Sequence, residues 1–278
     1  MGLGDDLMFL GEAEKVYNET GKKIFPVMPR GNGSVRPLPD HKWSPMYNNV
    51  DFITKDPTKD CYSLSIKPSN GRYNHYMEEL ADDAEGRGKY IKYKNYTPKP
   101  FKLRFTKEEH QAIKDQIVYN NLHRFVVINP DYKEDVFKSN KDWGWSKWTD
   151  LSKRLSELKH TKVVRIKPSA DLEDLPYAQN IHINNVRIAF GVISKAKLFV
   201  TYEGGLMHAM GGFNVPGVIL YGGLTSVDAM KYERNTNIVY EHPETPCGRQ
   251  FDCDHCKIAN SWMTVKKVYD IVESKLND

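Results

Sequence analysis

The sequence predicts an α/β protein of two modest domains, the second built on a parallel sheet with helices on both faces. Three observations carry this. From residue 125 onward short apolar runs alternate strictly with helical patterns: strands over 125–129, 162–166, 198–200 and 217–221, helices over 148–158, 185–195 and 206–211. Those runs lack the polar alternation of a sheet with one wet face, so both faces are buried, as helical crossovers between parallel strands require. At 278 residues the chain has about two domains' worth of length and can bury a sizeable core without disulfides or metals.

The first half reads less regularly. Over 5–20, Leu7, Leu10, Ala13, Val16 and Tyr17 recur at helical spacing, with Asp5 and Asp6 in the first turn and Gly21 as the stop. Apolar runs at 24–28, 50–53 and 62–66 read as strands, and the Pro, Gly and Asn content of 29–49 reads as a long functional loop. A helix is expected over 75–84, then a polar stretch over 90–99, then a helix over 106–120 whose Thr106 and Glu109 make a capping box. The domain junction falls just beyond, giving an N-terminal domain 1–120 and a C-terminal domain 121–278 closed by a helix over 264–276.

Composition narrows the function classes. With 40% apolar and 27% charged residues the chain is not disordered as a whole. Its net charge of +4 suits an anionic ligand but falls short of the basic face of a dedicated nucleic-acid binder. The start has no basic region followed by an apolar run, Asp6 stands where myristoylation wants Ser or Thr, and no run approaches the ~18 apolar residues of a membrane span. A cytoplasmic location is expected by elimination.

The most informative residues are Glu203, Gly204, Gly205, Leu206, Met207 and His208. They follow a buried strand and open a helix, so the first-turn amides point into the crevice at the strand's carboxyl end, where an open parallel sheet holds a diphosphate. The alternative is a tight turn with His208 packed beneath it. A second glycine pair, Gly222 and Gly223, ends the next strand, and Thr225 can donate to phosphate. Upstream, Lys141 brings a cation toward the same edge, while Trp143 and Trp148 read as core anchors.

In combination these elements resemble the glycosyltransferase family that contains the ADP-heptose lipopolysaccharide heptosyltransferases, family 9. The family's Asp-Ser-Gly-x-x-His element is similar to residues 203–208, with Glu203 for Asp and Gly204 for Ser. Its Lys-x-Trp-Pro-x4-Trp-x-x-Leu element is similar to Lys141, Trp143, Trp148 and Leu151, with Gly144 for proline. Its amino-terminal Gly-Asp before a helix is similar to Gly4 and Asp5, although the family's preceding hydrophobic strand has no counterpart here.

The resemblance implies a GT-B architecture, two Rossmann-like domains with parallel sheets facing across a cleft, and an inverting transfer without a bound metal and with no cofactor required. A nucleotide diphosphate sugar is the implied co-substrate and a saccharide the acceptor, most simply a bacterial surface glycan. Asp5 corresponds to the general base, with Asp6 as the neighbouring alternative. Amides at Gly204, Gly205, Leu206 and Met207, with Lys141 and Thr225, would stabilise the departing nucleotide diphosphate.

Three further features bear on partners. Tyr90, Lys92, Tyr93, Lys94 and Tyr96 read as a solvated linker or as a surface for nucleic acid, and the second reading would admit a hydroxymethylated base of viral DNA as acceptor. A catalytically silent nucleotide- or glycan-binding protein is the reading outside the enzyme class. Cys247, Cys253 and Cys256, with His255 among them, read as reduced thiols tying down a loop, or as a zinc or iron site if a fourth ligand arrives. Asp171, Glu173 and Asp174 are candidate acceptors for ribose hydroxyls.

Overall fold

A computed structural model describes residues 2–29, 35–56, 60–66, 77–82, 88–93, 97–132, 140–228, 230–243, 245–247 and 253–277. The first helix, α1 (Leu3–Thr20), ends where Gly21, at φ 70°, returns its N–H to the Tyr17 carbonyl at 2.7 Å. Every residue from 6 to 13 is buried, more than the single apolar face that the sequence spacing suggests. The helix is covered on several sides because it lies between the first sheet and a helix of the second half. Full burial of side chains such as Leu7, Phe9 and Leu10 contributes about 1.5–3 kcal/mol each.

The first sheet holds β1 (Lys23–Pro29), β2 (Val35–Pro37), β3 (Cys61–Ile66), β4 (Met77–Asp82) and β5 (Gly88–Tyr93) in the order β2-β1-β3-β5-β4. Its centre, β1, β3 and β5, is parallel, and its edges β2 and β4 run antiparallel. Three expectations need correction here. Residues 77–82 form a strand rather than part of a helix: pairing with β5 overrides the helix-favouring Met, Glu and Leu. The stretch expected to be a polar linker supplies β5, which lies inside the sheet, while 94–96 lie outside the described residues. The apolar run at 50–53 makes only one bridge, Ile24 to Ile53, and serves as buried packing beside β1.

The second half follows its expected alternation. Helix α2 (Lys107–Tyr119) starts with the capping box, Thr106 and Glu109 bonding each other's backbone at 3.1 and 2.9 Å. Then come β6 (Phe125–Asn129), α3 (Trp145–Ser156), β7 (Lys162–Lys167), β8 (Gln179–His182), α4 (Val186–Ile193), β9 (Leu198–Tyr202), α5 (Gly205–Gly211), β10 (Gly217–Tyr221), β11 (Thr236–Val239), α6 (Asp254–Trp262) and α7 (Val265–Asn277). The six strands are all parallel, in the order β8-β7-β6-β9-β10-β11. The edge strands β8 and β11 each bury one residue, Ile181 and Ile238, and so carry no apolar run to announce them.

Alternate residues on the central strands feed two cores. Val126, Ile128, Val200 and Leu220 face Trp148 and Leu155 of α3 and Val268 and Val272 of α7. Val127, Phe199 and Ile219 face α2 and α4, and that core runs on without a break into Leu7 and Leu10 of α1 and Leu64 of the first sheet. Arg187 of α4, 2% exposed, adds a polar link. Its guanidinium meets both oxygens of Glu109 at 2.6 and 3.0 Å and donates to the Arg104 and Pro45 carbonyls. Among the described residues no helix is long and apolar enough to cross a membrane.

Candidate functional site

The strand order decides where a ligand can sit. Numbered within the second sheet, it is 3-2-1-4-5-6, so the chain winds outward from β6 in both directions. Connections leaving the carboxyl ends of β6 and β9 diverge to opposite faces and open a crevice between them. Asn129 and Thr201 face each other across that pair, Nδ2 of Asn129 donating to the Thr201 hydroxyl at 3.2 Å.

Residues 203–205 form the wall of this crevice. Gly204, at φ 142° and ψ −152°, occupies a conformation that side chains disfavour, and it lets β9 turn straight into α5. His208 is the first residue whose N–H returns to the turn, reaching the Gly204 carbonyl at 3.1 Å. The amides of Gly205, Leu206 and Met207 are therefore the first-turn donors that a helix leaves without intrahelical partners. The side chains of Met207 and His208 point into the core: Tyr221 Oη lies 3.5 Å from Met207 Sδ, and His208 Nδ1 lies 3.0 Å from Tyr232 Oη. Burial, and secondarily the nearby Lys141 charge, pushes the His208 pKa down to about 3, so the ring is neutral. Met207 and His208 therefore offer a ligand no side chain.

Lys141 reaches the loop from the β6 side. Its ammonium donates to the Glu203 carbonyl at 2.9 Å and lies 3.2 Å from Glu203 Oε1, a distance that pairs the charges although the carboxylate is not aligned for a hydrogen bond. The Glu203 side chain is fully buried. Burial raises its carboxyl pKa, and Lys141 and the Thr225 hydroxyl act against that rise. Lys141 thus stands beside Gly204 as the sequence suggests, but Glu203 and Thr225 face inward, toward each other and the lysine.

The amino end of α1 lies against this loop. A Cβ added at Gly4 would fall 2.9 Å from His208 Cδ2 and 3.4 Å from the Gly205 nitrogen, and one added at Gly205 would fall 3.7 Å from the Gly4 nitrogen. Two helix amino termini with their partial positive charges, and the Lys141 ammonium, converge on one place. Asp5 is half-buried there, its Oδ2 accepting the Gly2 N–H at 2.8 Å as the reciprocal arm of a cap. Asp6 turns away into the core that α1 shares with the first sheet, where Tyr47 donates to its Oδ1 at 3.1 Å. Burial pushes the Asp6 pKa up to about 6, against hydrogen bonds from Ser44 and Tyr47.

The glycosyltransferase family 9 protein from Veillonella parvula matches this structure over 100% of this chain and 95% of that one, at a TM-score of 0.67 and 12% sequence identity. The fold is that of a family 9 glycosyltransferase. E. coli ADP-heptose lipopolysaccharide heptosyltransferase II matches over 63% of this chain, at 20% identity and a TM-score of 0.48, and the chain spans 53%, about half, of its length. The iron-containing dodecameric glycosyltransferase TibC from enterotoxigenic E. coli matches over 55% of this chain and 45% of its own, at 15% identity and a TM-score of 0.43. No protein-family model matches the sequence, and no curated protein does.

Within this fold the sequence reading missed one polar pair on the crevice edge. Arg165, 2% exposed near the end of β7, grips both oxygens of Asp131 at 2.6 and 3.3 Å, donates to the Glu173 carbonyl and lies over the Trp145 ring. The signal was present as a lone arginine inside the apolar run of β7. The ribose candidates fare differently: Lys167 holds Asp174 at 2.7 Å and the carbonyls of Ala170 and Leu172, making that loop a folded unit, while Asp171 and Glu173 have exposed side chains. Trp143 and Trp148 are core, tied together through the Tyr202 hydroxyl, as expected.

None of the four cysteines is in a disulfide. Cys61 lies apart on β3, whereas Cys247, Cys253, His255 and Cys256 bring their ligand atoms within 4.8 Å of one another.

Proposed function

We propose that this chain is a glycosyltransferase that moves a sugar from a nucleotide diphosphate donor to an acceptor hydroxyl, with inversion and with no metal at the reacting centre. The observation that carries this is the convergence of two helix amino termini and Lys141 at the switch point of a Rossmann sheet. Glu203 pairs with Lys141 from inside the protein, and the first-turn amides still present partial positive charge on the crevice side, which suits an anion such as a leaving diphosphate. The end-to-end match of the fold to a family 9 glycosyltransferase supports the same reading.

In this proposal residues 121–278 hold the donor and residues 1–120 present the acceptor side. Amides of Gly205, Leu206 and Met207 with Lys141 absorb the charge that develops on the diphosphate, the task a cation performs in other enzymes. Asp5 takes the proton from the acceptor oxygen as that oxygen attacks the anomeric carbon. Of the two acids it is the suited one, because it is half-exposed and follows Gly4, which meets Gly205, while Asp6 is shut in with Tyr47. The acceptor is a saccharide in this reading, a surface glycan or a related sugar.

Thermal melting with ADP, UDP, GDP and CMP at millimolar concentration tests the donor site. Free nucleotide at ~100 times its dissociation constant stabilises by about 2.7 kcal/mol. If no nucleotide raises the melting temperature, the assignment fails.

One observation favours a second reading. Glu203 draws Lys141 and Thr225 toward itself, which suits a protein that holds a nucleotide or glycan without transferring it. Turnover of any nucleotide sugar at enzymatic rates would eliminate that alternative.

A further inference from the structure

We propose that Cys247, Cys253, His255 and Cys256 form a closed metal site for a thiophilic divalent ion, zinc or ferrous iron, and that the ion braces the loop at 222–225 after β10. The proposal rests on this chain's own side chains and stands apart from the transferase reading.

The geometry is close to what four-coordination needs. Ligands of a tetrahedral thiolate and imidazole site, at about 2.3 and 2.0–2.1 Å from the ion, lie about 3.6–3.8 Å from one another. Here Cys247 Sγ and Cys256 Sγ are 3.2 Å apart, Cys256 Sγ and His255 Nδ1 are 4.0 Å apart, and all four ligand atoms lie within 4.8 Å. Small side-chain rotations bring such a set onto an ion without moving backbone.

The imidazole is oriented for the task. His255 Nε2 lies 2.8 Å from the Thr245 hydroxyl, which in turn reaches the Tyr240 carbonyl at 3.5 Å. A carbonyl can only accept, so the hydroxyl donates to it and takes the Nε2 proton as acceptor. That relay leaves Nδ1 as the bare nitrogen, on the side of the sulfurs. A ligating histidine anchored through its other nitrogen is the usual arrangement around a bound metal. Three thiolates with one imidazole select a soft or borderline ion over magnesium or calcium. Burial of Cys253, His255 and Cys256 at 3%, 7% and 0% exposure marks a site of the structural kind, closed to solvent.

The same residues are fastened to the crevice loop. The Gly223 carbonyl accepts the Cys247 N–H at 2.9 Å, and a Cβ at Gly223, whose φ is 88°, would fall 2.5 Å from His255 Cε1. Two residues on, Thr225 faces the Glu203 carboxylate that pairs with Lys141. An ion joining Cys247 to the start of α6 therefore clamps the loop from behind, and its loss frees the loop.

The test uses the full chain, purified reduced and without chelator. Elemental analysis is expected to find one zinc or iron per chain. The metal-free chain titrated with Co2+ should develop thiolate-to-cobalt charge transfer and tetrahedral ligand-field bands. Cys253→Ser should lose these bands and Cys61→Ser should keep them. Should Cys253→Ser fail to fold, competition of the wild-type chain against a coloured chelator decides the same question. Amide hydrogen exchange at 223–225 should slow at least several-fold on metal loading. A Co2+ spectrum without charge transfer, or two thiols rather than four in the unreduced, denatured chain, overturns the site; unchanged exchange overturns the bracing.

Discussion

Gly4 and His208 touch so closely that a β-carbon at position 4 would lie 2.9 Å from the imidazole Cδ2. The histidine cannot give way, since it is buried and held by Tyr232. This contact joins the first turn of the chain to a helix two hundred residues later. Gly4→Ala is expected to lower unfolding free energy by about 1–3 kcal/mol, the usual result of overpacking. Gly2→Ala, where an added Cβ meets only Asp5 Oδ2 at 3.8 Å, should be close to neutral. Urea unfolding of the two variants side by side checks the contrast.

Lys141 and Glu203 have separable roles. Removing the ammonium by Lys141→Met leaves a fully buried carboxylate without its partner and is expected to destabilise by about 3–5 kcal/mol. The double variant Lys141→Met with Glu203→Gln should recover much of that stability. It should not recover nucleotide affinity, because the cation beside Gly204 is gone. Denaturation curves and nucleotide titration of both variants distinguish the two effects.

Asp5→Asn tests the base. Carboxamide keeps an oxygen to accept the Gly2 N–H, so the first turn of α1 should persist. Transfer is expected to fall by about 10²–10⁴-fold with donor affinity little changed. Retained turnover would remove Asp5 from the mechanism.

The pH dependence of stability should carry two opposed slopes. Asp6 rises from 3.8 to about 6 on folding, so the native state holds a proton that the unfolded chain has released, and stability falls as pH climbs through that window. His208 drops from 6.5 to about 3, so its contribution is intact above 6.5 and fades as pH falls toward 3. Asp6→Asn should leave only the second slope and gain on the order of 2–3 kcal/mol above pH ~6. His208→Gln should leave only the first. Unfolding free energies between about pH 4 and 7 read both out.

Local rules made much of this protein legible. Alternating apolar runs and capping residues placed most elements of the second half within a few residues, because parallel strands buried on both faces leave an unbroken apolar signature. Gly204 was readable for the same reason: only glycine suits a backbone at φ 142°. Edge strands β8 and β11 were not readable, since a half-exposed strand of four residues has no pattern to find.

Residue types and their order along the chain were enough to determine an α/β fold, a glycine turn before a helix, and a cluster of thiols around one histidine. Which groups face the crevice was decided only in three dimensions. Asp5 and Asp6 are neighbours of the same chemistry, yet one is half-exposed and accepts the Gly2 N–H while the other is sealed against Tyr47. Glu203 and Thr225 look like ligands in one dimension and fold toward each other instead. The reason is that burial and partnership depend on contacts between residues distant in the chain, and those contacts exist only once α1 has docked on α5 and the second sheet has wound outward from β6.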